Sequence, residues 1–219
     1  MNLTNARGAA GGYRGYHCHM ISFDRNTLPA SLWKNGGGQT REILRLPAGA
    51  SLDDFDLRVS IAELTASGPF SAFPGVDRVI VLLDGAGVQM RSIDGTIDYR
   101  LDTPLAPFAF PGETSIDATL LGDASSDFNV MARRGRVRAE TRIVRAAEDL
   151  AAAGCGVLFA VEGTWRVVSD GESVTLAPNR GVRWSGRGIS WHVEPAEIIA
   201  GPQPGLIAVR AIVLTPATR

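Results

Sequence analysis

This chain has a single lysine. Lys34 sits in "LWKNGGGQTREI" (32–43), beside Trp33 and Asn35 and ahead of Gly36, Gly37 and Gly38; the other 21 of its 22 Lys+Arg residues are arginine. A phosphate loop needs GxxxxGK[ST], with the lysine after the glycines and a helix to follow. Here Lys34 precedes the glycines, and "REILRLP" reads as a strand. Two readings stay open. The segment is a tight strand-connecting turn, or it is a loop over a binding site, with glycines admitting positive φ or close backbone approach. In the second case the Lys34 ammonium meets an anion as a point charge. Asn35 and Thr40, in the same segment, join the candidate ligand-binding set.

Three further stretches carry polar groups at strand spacing. "FDLRVSIAEL" (55–64) sets Phe55, Leu57, Val59 and Ile61 on one face and Asp56, Arg58 and Ser60 on the other, the period of a half-buried strand. Arg58 and Ser60 face either water or a polar interior, where Arg58 can clamp a carboxylate with two parallel hydrogen bonds. "GPFSAFPGVDR" (68–78) brings Phe70 and Phe73, as core or pocket wall, together with Asp77 and Arg78. Adjacent strand residues face opposite ways, so Asp77 and Arg78 do not pair, and Asp77 suits a turn cap. "SSDFNVMARRG" puts Asp127, Asn129 and Met131 on one face, Phe128 and Val130 on the other. Asn129 both donates and accepts, which suits an amide- or formyl-bearing ligand; the alternative is a strand with its polar side in water.

Nucleophilic catalysis finds little support. No Ser-His-Asp or Cys-His arrangement is visible, and a catalytic lysine needs a depressed pKa that sequence does not reveal. The histidines are His17, His19 and His192. His17 and His19 would share one face of a strand, as metal ligands do, but no third ligand accompanies them and the pair is read as incidental. His192, after Trp191, reads as a wall residue.

The elements holding these groups must be strands. Twenty-five glycines and twelve prolines punctuate 219 residues along their whole length, as many short strands and turns require. At 45% hydrophobic the chain can fill a core, and a net charge of −1 excludes a global field for nucleic acid or membrane. "RRGRVRAETRIVR" (133–145) carries six arginines but no aromatic, and reads as a solvated face joining two halves rather than a nucleic-acid patch. Two cysteines, Cys18 and Cys155, fall short of a disulfide framework; Cys155 reads as a small buried residue. No run of about 18 apolar residues occurs and the start has no apolar signal region. The expectation is a cytoplasmic protein with a flexible segment over 1–16.

"RVIVLLDG" (78–85) fits a strand covered on both faces; "VQMRSIDGTIDYRLD" predicts a hairpin about Asp94-Gly95; "AAEDLAAAG" (146–154) predicts two helical turns stopped by Gly154. The chain also echoes itself: "VIVLLDGAGVQM" (79–90) resembles "VLFAVEGTWRVV" (157–168), each a strand, an acid-Gly turn and a second strand. That suggests a duplicated antiparallel barrel. Cupins have this arrangement and carry a metal on two histidines, a glutamate and a later histidine. Anchored on Gly85, those early positions hold Ala72, Pro74 and Arg78. No metal and no other cofactor is expected, and common cupin oxygenase chemistry lacks its electrophile.

"WKNGGGQTREI", "FDLRVSIAEL", "GPFSAFPGVDR", "PFAFPGE" and "DFNVMARRG" occur in that order, and together they resemble the HutD/Ves family of bacterial proteins over roughly residues 20 to 135. The resemblance implies an all-β bicupin, two jelly-roll-like antiparallel barrels from a duplication, without a cupin metal site. It also implies a link to histidine utilisation through a small pathway acid such as formylglutamate or urocanate. Residues 17–139 are expected to form the first barrel, with the main pocket, and 140–219 the second. The favoured function is a non-enzymatic sensor or modulator whose ligand is a small organic acid, with no nucleic-acid or membrane partner and a homodimer left open. The rivals are a metal-independent enzyme acting on a small carboxylate and a protein-interaction module with a vestigial pocket.

Overall fold

The alternation at 57 to 64 is realised as a strand in the structure, a computed structural model that describes residues 19–196 and 203–214. Every regular element among the described residues is a strand. In chain order they are β1 (His19–Asp24), β2 (Ala30–Leu32), β3 (Gly38–Leu46), β4 (Leu57–Leu64), β5 (Gly68–Pro69), β6 (Val76–Gly85), β7 (Val88–Ser92), β8 (Asp98–Leu101), β9 (Pro107–Pro111), β10 (Ile116–Leu120), β11 (Ser125–Arg133) and β12 (Val137–Val144). They continue as β13 (Glu148–Glu162), β14 (Trp165–Ser169), β15 (Glu172–Leu176), β16 (Arg180–Pro195) and β17 (Gly205–Val213). They form three sheets: a six-stranded one in the order β2-β3-β4-β11-β6-β9, a four-stranded one, β5-β10-β7-β8, and a seven-stranded one, β12-β17-β13-β16-β14-β15, with β1 on β16.

The six-stranded sheet is covered on both faces, which explains the unbroken aliphatic run of β6. Val81 and Leu83 join Leu57, Val59, Ile61, Phe128 and Val130 against Val157, Phe159, Ile207 and Val209 of the seven-stranded sheet. Ile80 and Leu82 pack the other way, with Val88, Met90, Ile116 and Ala118 of the four-stranded sheet. Phe159 is the hinge of the first layer: its ring stacks on Phe23 at 5.9 Å and on Phe128 at 5.7 Å between centroids. Phe55 leaves the face expected for it and packs instead with Val76, Met131 and Phe73. Behind the seven-stranded sheet Trp165, Trp184 and Trp191 fill the space with Leu158, Val182 and Leu206. Cys155 is buried, as its sequence neighbours suggest.

The helix expected at 146–154 does not form; Glu148–Glu162 is one strand. Nine residues are too few to hold a helix without packing. Pairing Asp149 with His192 and Leu150 with Trp191 buries Leu150 and Ala153 beside the tryptophans, and register shifts around Ala153 absorb the extra residues. The hairpin about Asp94-Gly95 is present, β7 pairing with β8. The two acid-Gly turns are corners rather than hairpins. β6 and β7 belong to different sheets, and β13 and β14 each pair with β16 instead of each other.

Candidate functional site

The site is a ladder on one face of the six-stranded sheet. Antiparallel register aligns Arg58 with Met131, Met131 with Arg78, and Arg78 with Phe110. The next rung runs Glu42, Ser60, Asn129, Ile80, and the one after it Thr40, Ala62, Asp127, Leu82. Period two puts these side chains on one face, and Thr40, Arg58, Ser60, Ala62, Arg78, Asp127, Asn129 and Met131 among them line a cavity of about 620 Å³. Its wall includes all ten residues singled out as ligand-binding: Lys34, Asn35, Thr40, Arg58, Ser60, Phe70, Phe73, Arg78, Asn129 and Met131.

"WKNGGG" proves to be both a turn and a mouth. It links β2 to β3, closed by Trp33 N to Gly38 O at 2.9 Å and Gly36 N to Trp33 O at 3.0 Å. Positive φ falls on Gly36, at 72°. Gly38 is fixed by space: a Cβ there would lie 2.3 Å from the Glu63 carbonyl oxygen. Gly37 needs neither device. Asn35 and Thr40 are partly occupied in holding this turn, Asn35 Oδ1 accepting from Gly37 N at 3.1 Å and Thr40 Oγ1 from Trp33 Nε1 at 2.8 Å. Lys34 is exposed at the rim.

Arg78 is the centre of the cavity's electrostatics. It is buried, with its guanidinium carbon 4.8 Å from the Phe110 centroid, 5.6 Å from Phe70 and 5.7 Å from Phe73. Three rings present their negative faces to one cation. Nη2 donates to Asn129 Oδ1 at 2.9 Å, Nη1 reaches Ser71 O at 3.4 Å, and Nε is buried without a partner. Burial pulls its pKa down to about 10, with Arg58 adding to the fall and Asp127 opposing it; it remains a cation at neutral pH. Asn129 Nδ2 in turn donates to Asp127 Oδ1. Burial pushes the Asp127 carboxyl up to about 7 against the pull of Arg78 and Asn129.

Arg58 is not a bare clamp. Its Nε donates to Glu42 Oε2 at 3.0 Å, and Arg45 holds the other oxygen of Glu42 at 3.0 Å. The charged residues of the cavity wall are Lys34, Arg58, Arg78 and Asp127, three cations to one carboxyl. Such a cleft concentrates anions. The arginines of 133–145 are not a plain solvated face either: Arg134 binds Asp77 and Glu113, Arg136 binds the buried Asp56, Arg142 binds Glu148 and Arg145 binds Glu162.

The wall does not fit a cupin-type metal. It offers one carboxyl, no histidine and no thiol, with Arg78 in the middle, where a divalent ion wants three or four neutral or anionic donors. Among the described residues no three His, Cys, Asp or Glu side chains form a metal-binding group. His17 and Cys18 lie outside the described residues, and His19 is described by its backbone alone. His192 is half exposed and meets Asp149 at 2.7 Å.

Sequence reasoning placed Asp127 on the correct face and yet left it out of the site; its alternation with Asn129 and Met131 was the signal. Phe110 was missed too, although its alternation with Phe108 in "PFAFP" marks it. Ser31, Leu32, Leu52 and Ser71 come from loops and an edge strand that only the tertiary fold brings to the mouth.

The model of the HutD family matches residues 25–200. The chain belongs to the HutD family. Protein Ves from Citrobacter koseri is 37% identical over 166 residues, 75% of this chain and 83% of that protein. HutD from Pseudomonas fluorescens SBW25, solved as a "formate condition" structure, is 28% identical with a TM-score of 0.73, covering 89% of this chain and 99% of that one. A conserved protein of unknown function from Pseudomonas aeruginosa PAO1 is 30% identical with a TM-score of 0.77, over 88% of this chain and 98% of that one. A cupin barrel protein from Leptotrichia buccalis, 10% identical with a TM-score of 0.57 over 88% of this chain and 96% of that one, shares the fold. The HutD-family chain is thus all-β with cupin-like architecture. No helix among its described residues is long and apolar enough to cross a membrane.

Proposed function

We propose that this HutD-family protein binds a small organic acid in the cavity beneath the Trp33–Gly38 turn, and that it acts as a non-enzymatic sensor or modulator of histidine utilisation. The observation that carries the reading is Arg78: a buried guanidinium on the cavity wall, walled by three phenylalanines, with its Nε unpaired and only one weakly acidic carboxyl nearby. A cation so placed has lost water without gaining an ion pair. A ligand carboxylate supplies the missing charge and Lys34 attracts it at the rim. The link to histidine utilisation rests on the HutD name, and formate in the Pseudomonas fluorescens structure's name makes a carboxylate a natural first probe.

We read the architecture as a duplicated bicupin, 17–139 and 140–219; the segment over 1–16 lies outside the described residues. Equivalent neighbours support it. β6 lies between β11 and β9 as β13 lies between β17 and β16; β7 lies between β10 and β8 as β14 lies between β16 and β15. On this reading tryptophans fill the second barrel, leaving the pocket to the first. The arginines of 133–145 bind the chain's own acids, which fits a protein without a nucleic-acid partner. A cytoplasmic site without membrane attachment remains part of the reading.

A thermal-shift screen with formate, formylglutamate, urocanate, formiminoglutamate and histidine tests it, because a ligand of the native state raises its melting temperature. Asp127, titrating near neutrality, keeps a metal-independent enzyme as the second reading. Turnover of any hit favours that enzyme. Silence from all five favours an interaction module.

A further inference from the structure

Asp127 is a cavity carboxyl that acid binding alone does not require. It is buried, flanked in register by Ala62 and Leu82, and sits on the wall where an anion is to bind. Its Oδ1 accepts from Asn129 Nδ2. Arg78 from β6 is the charged group that acts on it; the same cavity wall carries Arg58 from β4, with Glu42 of β3 tied behind it, and Lys34 from the β2–β3 turn. Its register neighbours Ala62 and Leu82 pack in turn with Phe110 of β9 and with Met90 and Ala118 of the four-stranded sheet. Arg78 does not touch Asp127 directly; Asn129 stands between them.

We propose that Asp127 is a ligand-reading residue that works through its own proton: the protonated carboxyl donates to one oxygen of the ligand carboxylate while Arg78 pairs with that carboxylate, so the bound state holds one proton, which is taken from solvent where Asp127 is ionised beforehand. This rests on the acid-binding reading above. Two carboxylates beside one desolvated guanidinium repel each other, and holding one proton between them removes that cost. Burial already brings Asp127 to about 7, so the proton is at hand near neutrality. The ligand class follows: a carboxylate head needing no N–H group. An ionised Asp127 accepting a ligand N–H is the opposite arrangement and has the opposite pH dependence.

The test uses formate, which has no N–H, and formylglutamate, titrated calorimetrically into the full chain and into Asp127→Asn at pH 6.0 and 8.5. If the bound state needs the proton, parent affinity falls about thirtyfold between these values for a group titrating near 7. Asp127→Asn keeps the shape and its amide still donates, so it should bind about equally at both. Calorimetry in two buffers of different ionisation enthalpy should show close to one proton taken up per site at pH 8.5 in the parent and none in the variant. Equal parent affinity at both pH values, or tighter binding at pH 8.5, overturns the proton coupling and leaves acid binding intact. No binding of either probe or of the other screened acids at either pH overturns both.

Discussion

Arg78 donates from Nη2 to the side-chain amide oxygen Oδ1 of Asn129 at 2.9 Å inside the cavity wall. That one bond sets which end of the Asn129 amide faces Asp127, because the oxygen is committed to Arg78 and the nitrogen must turn to the carboxyl. Two strands, β6 and β11, thereby place a cation and a weak acid at the two ends of one amide.

Stability should depend on pH through Asp127. Its folded pKa, about 7, lies above its unfolded value of 3.8. The folded state therefore holds the proton more tightly. The stabilisation is full below about pH 4, declines as pH rises toward 7, and is absent above it. Asp127→Asn should flatten this part of the profile. Urea midpoints for both proteins from pH 5 to 8.5 check it: the parent should lose stability relative to the variant as pH rises.

The turn should discriminate among its glycines. Gly38→Ala drives a Cβ into the Glu63 carbonyl and should destabilise by about 1–3 kcal/mol, as overpacking typically does. Gly36→Ala imposes a side chain at positive φ and should cost about 1–2 kcal/mol. Gly37→Ala meets only the Asn35 side chain, at 3.4 Å, and should be close to neutral. Thermal melts of the three variants measure the ranking.

Lys34 should act at a distance. It is exposed at the rim, so Lys34→Arg should preserve acid affinity, and Lys34→Leu should weaken it more at low salt than at high salt. A catalytic amine would tolerate neither, because arginine stays protonated. Binding isotherms at two salt concentrations separate these roles.

Much of this was legible in the sequence because period two is read directly from side chains. The alternation of Arg58 with Val59 and of Asn129 with Val130 gives the face of each residue once the strand is recognised, and β6's unbroken run gives burial on both sides. What the alternation cannot give is which strands are neighbours. The Arg58–Glu42 bond depends on β3 lying beside β4, and Arg78's three rings depend on β9 and the 68–75 loop closing over it. Both are set by tertiary pairing between segments far apart in the chain. The alanine-rich 146–154 segment failed for the related reason that a sheet's pairing outweighs a short helix's propensity.

Removing the Arg78 guanidinium tests the central claim most directly. Calorimetry should compare the parent, Arg78→Ala, Arg78→Lys and Arg134→Ala with the acid that gives the largest thermal shift. A charge-assisted hydrogen bond is worth about 1.5–3 kcal/mol, so Arg78→Ala should lose affinity roughly tenfold to hundredfold. Arg78→Lys should recover only part, since the planar fork is lost. Arg134, which binds Asp77 and Glu113 away from the cavity wall, should be dispensable for binding. An Arg78→Ala protein that melts cooperatively and binds the acid as the parent does would contradict the account.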